Sequence, residues 1–238
     1  MGIDVGSFIF LLQNKDSIKG NVLQLGRQGM HIAWNDKDMR ICKSVFEMFD
    51  DQTPFNSIFS TGPHADGFFQ YLGADVVDSM DYSAFEGASI VHDLNNPVPE
   101  YLVDRFDFIF DGGTTEHIFD VKTVMDNIKK MLKVGGVFAG ISPSNNCLGH
   151  GFYQFSPELY RTVFSKEEGY EILSMQLLET TEIPDFIDIP TPVKGERQEL
   201  ITKEVAINVC YVIRKVEEKA FPKNYQQSDY LKNWGELS

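Results

Sequence analysis

The sequence is poor in cysteine and in positive charge. Its three cysteines, Cys42, Cys147 and Cys210, lie far apart and form no Cys-x-x-Cys pair. That excludes a zinc knuckle and a disulfide framework and predicts a reducing, cytoplasmic setting. Each cysteine then reads as a small buried hydrophobe. Lysine and arginine number 21 against 35 aspartates and glutamates, a formal charge of −14. Binding a nucleic-acid backbone takes a basic stripe that displaces counterions, so nucleic acid is not expected as the main partner. No apolar run approaches the ~20 residues of a membrane span, so no membrane is expected either. The first residues lack the basic region, apolar core and small-residue cleavage site of a secretory signal. Glycine fingerprints are missing too. Neither GxGxxG nor GxxxxGK[ST] occurs, which removes the main support for a nicotinamide dinucleotide or a P-loop nucleotide site.

What is present suits a packed globular chain. Of 238 residues, 42% are hydrophobic and 13% aromatic, enough to bury the core of one large α/β domain or two small ones without staples. The expected division is a docking segment over 1–20, an α/β domain over 21–216 and a polar tail over 217–238. The tail carries Phe221, Tyr225, Tyr230 and Trp234, aromatics that suit lying on its own domain or on a partner. No repeat or low-complexity segment appears.

Strand and helix signals alternate along the domain. Residues 21–26 read as a short buried strand ending at Gly26. Met39, Cys42, Val45, Phe46 and Phe49 recur at helical spacing, with Asn35 or Asp36 as cap. A short helix is expected over 63–72, stopped by Gly73. Strands are expected over 74–80, 89–92 and 105–110, the last apolar at nearly every position, as a strand covered on both faces should be. Ile118, Val121, Val124, Met125, Ile128 and Leu132 form the stripe of a further helix. Gly135 and Gly136 are expected to stop it and start a strand over 137–142. A helix opened by Ser156 and Pro157 and two strands, 171–178 and 205–216, follow; those two strands fit an antiparallel edge. Alternation of this kind predicts a doubly wound, mostly parallel sheet with ligands at the carboxyl ends of its strands.

Those ends hold the candidate site residues. Gly26-Arg27-Gln28-Gly29 is a glycine turn that lets backbone approach a ligand. Asp81, with Asp78 as second choice, is placed to accept from ribose hydroxyls. Asp93 can accept from an adenine amine, with Leu94 against the ring. Asp111-Gly112-Gly113-Thr114-Thr115-Glu116-His117 crowds two acids and an imidazole at one rim, and a histidine beside a carboxylate is the usual general base near neutral pH. After the fifth strand, 142–157 is a long loop, polar then aromatic, in which His150 can reach inward and Tyr153 and Gln154 can read a substrate.

The order of these segments resembles the class I S-adenosylmethionine-dependent methyltransferases. The resemblance is carried by Val22-Leu23-Gln24-Leu25-Gly26, Asp81-Tyr82-Ser83, His92-Asp93-Leu94, Phe106-Asp107-Phe108-Ile109, Glu116-His117-Ile118 and Met131-Leu132-Lys133-Val134-Gly135-Gly136-Val137. It covers about 21–142. It implies a seven-stranded sheet whose last strand is antiparallel, with S-adenosylmethionine as cofactor. Gln24, Gly26, Gln28 and Gly29 would hold the methionine part, Asp81 the ribose, Asp93 and Leu94 the adenine, and Asp111 and Gly112 the region of the sulfonium. His117 and His150 are the expected proton acceptors, and Glu116, Tyr153 and Gln154 the expected substrate contacts. Three departures stand beside it. Gln24 replaces the usual acid, Met30 replaces a third glycine, and Asp81 and Asp93 are too close for an intervening helix.

The function this implies is methyl transfer to a small-molecule oxygen or nitrogen acceptor, by a monomer or a homodimer. No metal is expected, because the position three before Glu116 is Gly113 and a hard cation would lack a carboxylate there. The alternative is a non-catalytic binding or scaffold module built on the same fold.

Overall fold

A computed structural model of the chain describes residues 2–50, 52–193, 196, 199–220 and 224–235. Helix α1 (Val5–Gln13) comes first, capped by Asp4, whose side chain accepts from Ser7 N. Then follow strand β1 (Gly20–Leu25), helices α2 (Asp36–Phe49) and α3 (Asp66–Leu72), strands β2 (Ala74–Asp81), β3 (Ile90–Val91) and β4 (Phe106–Asp111), and helix α4 (Val121–Met131). The rest is strand β5 (Leu132–Asn145), helix α5 (Pro157–Val163), strands β6 (Tyr170–Glu179), β7 (Asp185–Asp188) and β8 (Ile207–Lys215), and helix α6 (Ser228–Asn233).

The strands form one sheet in the order β3-β2-β1-β4-β5-β8-β6-β7. The first five are parallel, whereas β8 runs antiparallel between β5 and β6. The doubly wound α/β fold expected from the alternation is present. The strand count differs from the expected seven because β7 adds an antiparallel edge beside β6. Asp185-Phe186-Ile187-Asp188 is too short and too exposed to announce itself as a strand. The expected edge position of 205–216 also gives way: β8 lies inside the sheet, with eight of its nine residues at least partly buried.

Alternation along β1 assigns its two faces. Leu23 and Leu25 join Ile109, Phe138, Val124, Ile128 and Tyr160 in the core under α4 and α5. Val22 joins Phe108, Phe110, Phe8, Phe46, Phe68 and Phe69 in the core under α1, α2 and α3. Phe8 stacks on Phe68 with ring centroids 4.6 Å apart, so the segment before β1 is part of this core. Each such ring removed from water contributes about 1.5–3 kcal/mol.

Helix α2 is capped by Asn35, whose side chain accepts from Lys37 N at 2.9 Å. Gly73, at φ +122°, ends α3. Helix α4 ends four residues before the glycine pair, and Leu132 pairs with Phe106 as the first residue of β5. Gly135 and Gly136 instead absorb a register shift between Phe106 and Phe108. The tail reaches its own domain: Lys129 Nζ, buried, donates to the Tyr225 hydroxyl at 2.8 Å, and Ser228 N donates to Glu158 at 2.9 Å. Phe221 lies outside the described residues. No helix of the described chain is long and apolar enough to cross a membrane.

Candidate functional site

The chain order reverses direction between β1 and β4, and ligands of open α/β sheets sit beyond the strand ends at such a switch. The tips here are stitched together by backbone. Gly26, at φ +73°, turns the chain off β1 and donates its N–H to Met80 O at 2.7 Å. Arg27 N donates to Asp81 Oδ2 at 3.3 Å, and His92 N to Asp81 O at 2.9 Å. Thr114 Oγ1 donates to Leu25 O at 2.7 Å, joining the tip of β4 to that of β1.

Asp81 is half-buried, and among the described residues its carboxylate receives two long bonds, from Arg27 N and from Ser83 N at 3.4 Å. It retains acceptor capacity toward the crevice. Asp78, by contrast, is engaged by Ser89 at 2.8 Å and Arg105 at 2.7 Å. Asp93 builds a turn, accepting from Asn95 N, Asn95 Nδ2 and Asn96 Nδ2. The Asn95 side-chain and backbone bonds hold its carboxyl below the usual range. Leu94 is buried in the core beneath that turn. The polar orienter of this loop is Asn127, on α4. It accepts from Val98 N and donates to Leu94 O and Asn96 O. In sequence Asn127 looks like a residue of a helix's polar face, and nothing in the spacing marks it.

The first tip is filled by its own side chains. Gln28 is fully buried, donates through Nε2 to Leu25 O at 2.6 Å, and leaves Oε1 without a partner among the described residues. Gln24, equally buried on β1, has no partner for either amide atom among the described residues. Gly29, expected beside a ligand, is instead bridged to Gly2 and His64. Met30 is buried in the core beneath the turn.

At β4 the turn is built around Asp111. Its buried carboxylate accepts from Thr114 N, Thr115 N, Thr115 Oγ1 and the Tyr211 hydroxyl at 2.8, 3.4, 2.6 and 3.2 Å. Tyr211 stacks on Tyr160, ring centroids 3.9 Å apart, and the Tyr160 hydroxyl donates to Ser142 at 2.9 Å. Asp111 thus supports the site from inside rather than offering a free oxygen. Desolvation raises its pKa.

Glu116 lies one turn on, in a 3-10 turn over Thr115–His117, and is also fully buried. Desolvation first, and the charge of Asp111 second, push its carboxyl up to about 8. His150, brought by the loop after β5, places Nε2 3.3 Å from Glu116 Oε1, and His117 Nε2 stands 3.8 Å from the same oxygen. Burial, then the neighbouring His150, lower the His117 pKa and favour its neutral form. The loop is bound to the turn by backbone, with Phe152 N donating to Glu116 O at 2.7 Å. Gly151 permits that approach, because a Cβ there would stand 2.8 Å from Glu116 O. The contacts expected of the two loop polar residues are already committed. The Tyr153 hydroxyl donates to Phe119 O at 2.7 Å, and Gln154 Oε1 accepts from Cys147 N at 2.9 Å. A separate groove of about 1220 Å³ is lined by residues of α5, β6 and the tail, and none of its walls comes from the tips of β1–β4.

No protein family's sequence profile matches the chain, and no curated protein matches it. The solved structures similar to it include several named as methyltransferases. TehB from Haemophilus influenzae is 17% identical with a TM-score of 0.46; the match covers 87% of this chain and 61% of that one, so the chain spans about three-fifths of TehB. The 1,6-didemethyltoxoflavin-N1-methyltransferase of Burkholderia thailandensis, solved with bound 1,6-didemethyltoxoflavin and S-adenosylhomocysteine, is 13% identical with a TM-score of 0.48, covering 90% of this chain and 78% of that one. The N-methyltransferase NodS of Bradyrhizobium japonicum, also with S-adenosylhomocysteine, is 12% identical with a TM-score of 0.44, covering 88% and 84%.

Proposed function

We propose that the chain is a class I S-adenosylmethionine-dependent methyltransferase acting on a small-molecule oxygen or nitrogen acceptor in the cytoplasm. The observation that carries this reading is the stitched row of tips on β1, β2 and β4, which joins Asp81 to the turn after Gly26 and the end of β1 to Thr114, two residues before the buried Glu116. Asp81 fits a ribose diol. Buried Gln24 carries an amide with no partner among the described residues, which suits a polar ligand seated at the switch point. For that ligand to enter, Gln28 must leave its place against Gly112.

Bound S-adenosylmethionine supplies a methyl group on an electrophilic sulfonium. This chain's own part is to hold the acceptor in line, an effect of up to about 7–11 kcal/mol. His150 or His117, through Nε2, takes the proton of an acceptor hydroxyl or ammonium. Asp111 fixes the turn that carries Glu116, and the loop that carries His150 is anchored on Glu116 O.

The non-catalytic reading has one observation on its side, the Gln28 side chain lying in the crevice. Titration calorimetry with S-adenosylmethionine and S-adenosylhomocysteine separates the two. Saturable one-to-one binding that weakens in Asp81→Ala supports the enzyme. Absence of heat at high protein concentration leaves the scaffold.

A further inference from the structure

We infer that Glu116, His117 and His150 form a binding site for one divalent first-row transition cation of the zinc type. The ligand atoms of these three residues lie within 4.8 Å of one another. The two Nε2–Oε1 separations are 3.3 and 3.8 Å. Ligands about 2.0–2.1 Å from a tetrahedral ion stand about 3.3–3.4 Å apart, so the His150–Glu116 pair already has the spacing of two ligands of one ion and the His117–Glu116 pair is slightly wider. The imidazoles are tilted by 57° with ring centroids 4.9 Å apart, which leaves them free to converge rather than stack.

A second, independent observation points to a ligand. Glu116 has no exposure at all, yet its Oε2 has no hydrogen-bond partner among the described residues, while Oε1 faces both histidines. A buried carboxylate oxygen left unpartnered is costly, and a cation is one way to satisfy it. The chain also keeps the neighbourhood open. Residue 113 is glycine at φ +87°, and a Cβ there would come 3.1 Å from Glu116 Oε1. The missing side chain that argues against a hard cation therefore leaves room beside the ligands.

The donor set chooses the metal. Two imidazoles and one carboxylate suit zinc, iron(II), cobalt(II) or manganese(II), not the all-oxygen shells of magnesium and calcium. Three protein ligands leave at least one coordination position open, the arrangement of sites that bind substrate oxygen or water rather than of closed structural sites. His150 is the decisive member. It lies 34 residues from Glu116 and arrives only through the loop after β5. Binding of the ion does not depend on the methyl-transfer reading and is tested without S-adenosylmethionine; Nε2 of each histidine serves either as a ligand or as a proton acceptor, so the proton-accepting role belongs to the metal-free chain.

Zinc chloride titrated calorimetrically into the metal-free full chain, and cobalt(II) followed by its visible absorption, test the site. One equivalent is expected to bind. His117→Ala and His150→Ala, both exposed and so tolerated by the fold, should each weaken binding at least about tenfold. Glu116→Gln should weaken it as strongly with an unchanged circular dichroism spectrum. His31→Ala, at a histidine stacked on Trp34, should bind like the parent. Magnesium should bind far more weakly than zinc. The inference is overturned if no one-to-one zinc binding is seen at high micromolar concentrations, if His150→Ala binds as tightly as the parent, or if His31→Ala abolishes it.

Discussion

Gln28 rests against Gly112: a Cβ built on residue 112 would stand 2.6 Å from Gln28 Oε1. Two chain turns, one after β1 and one after β4, are thereby packed side chain to backbone at the switch point. Gly112→Ala should destabilise the fold by about 1–3 kcal/mol through overpacking. Adding Gln28→Ala should recover part of that loss, because it removes the nearest atom struck while Phe110 Cε1, 2.8 Å from the same Cβ, stays in place. Urea unfolding of both singles and the double measures the coupling. Gln28→Ala alone should also tighten S-adenosylhomocysteine binding, read by calorimetry; weaker binding would show that the amide is a ligand contact rather than an obstacle.

Asp81 and Asp78 belong to one strand but have different duties. Charge-assisted bonds from a ribose are individually worth about 1.5–3 kcal/mol, so Asp81→Ala should weaken cofactor binding by roughly ten- to a hundredfold. Asp78→Ala instead breaks the contacts with Arg105 and Ser89. It should lower thermal stability slightly and leave cofactor affinity within about twofold. Equal effects of the two on affinity would falsify the assignment of Asp81.

Glu116 makes stability depend on pH in a direction opposite to that of most carboxylates. In the folded, metal-free chain its pKa is pushed from 4.5 up to about 8, chiefly by burial. Between those values the folded state binds the extra proton, so stability is fully present below about pH 4.5 and is lost as pH rises through about 8. Glu116→Gln should flatten this fall by roughly a few kcal/mol. Chemical unfolding from pH 5 to 8.5 is the measurement, and an unchanged slope in the variant would refute it.

Asn127 connects helix α4 to the loop that carries Asp93. Asn127→Ala leaves Val98 N–H without its acceptor and frees the Leu94 and Asn96 carbonyls. The expected cost is about 1–3 kcal/mol. Hydrogen exchange over 93–98 should accelerate more than that over β4, and binding of S-adenosylhomocysteine should weaken. Uniform acceleration across the whole chain would mean that Asn127 matters to stability alone.

The parts of the fold legible in the sequence are those whose side chains announce a period. Phe106 to Phe110 reads as a covered strand, and Val121, Val124, Met125 and Ile128 read as one helical stripe, because the pattern is repeated at every step. Strand β7 escapes because four residues with acids at both ends resemble a loop. The site was legible as a set of strand ends, not as contacts. Gly29 looks like a ligand-facing glycine until residues 2 and 64 are seen to bridge it. Asp111 looks available until Tyr211, a hundred residues away, is found on its carboxylate. Glu116 and His150 illustrate the same limit: no spacing rule joins them, and only the return of the loop onto the β4 turn does.

The two outermost strands bear on how the chain behaves when crowded. One margin of the sheet is β3, only Ile90 and Val91 long, and the other is β7, with Asp185 and Asp188 at its ends. A brief margin offers too few open amides to template a neighbour, and an acidic one repels another chain of the same −14 charge. Neutralising β7 with Asp185→Asn and Asp188→Asn removes that repulsion and turns a self-avoiding rim into an adhesive one.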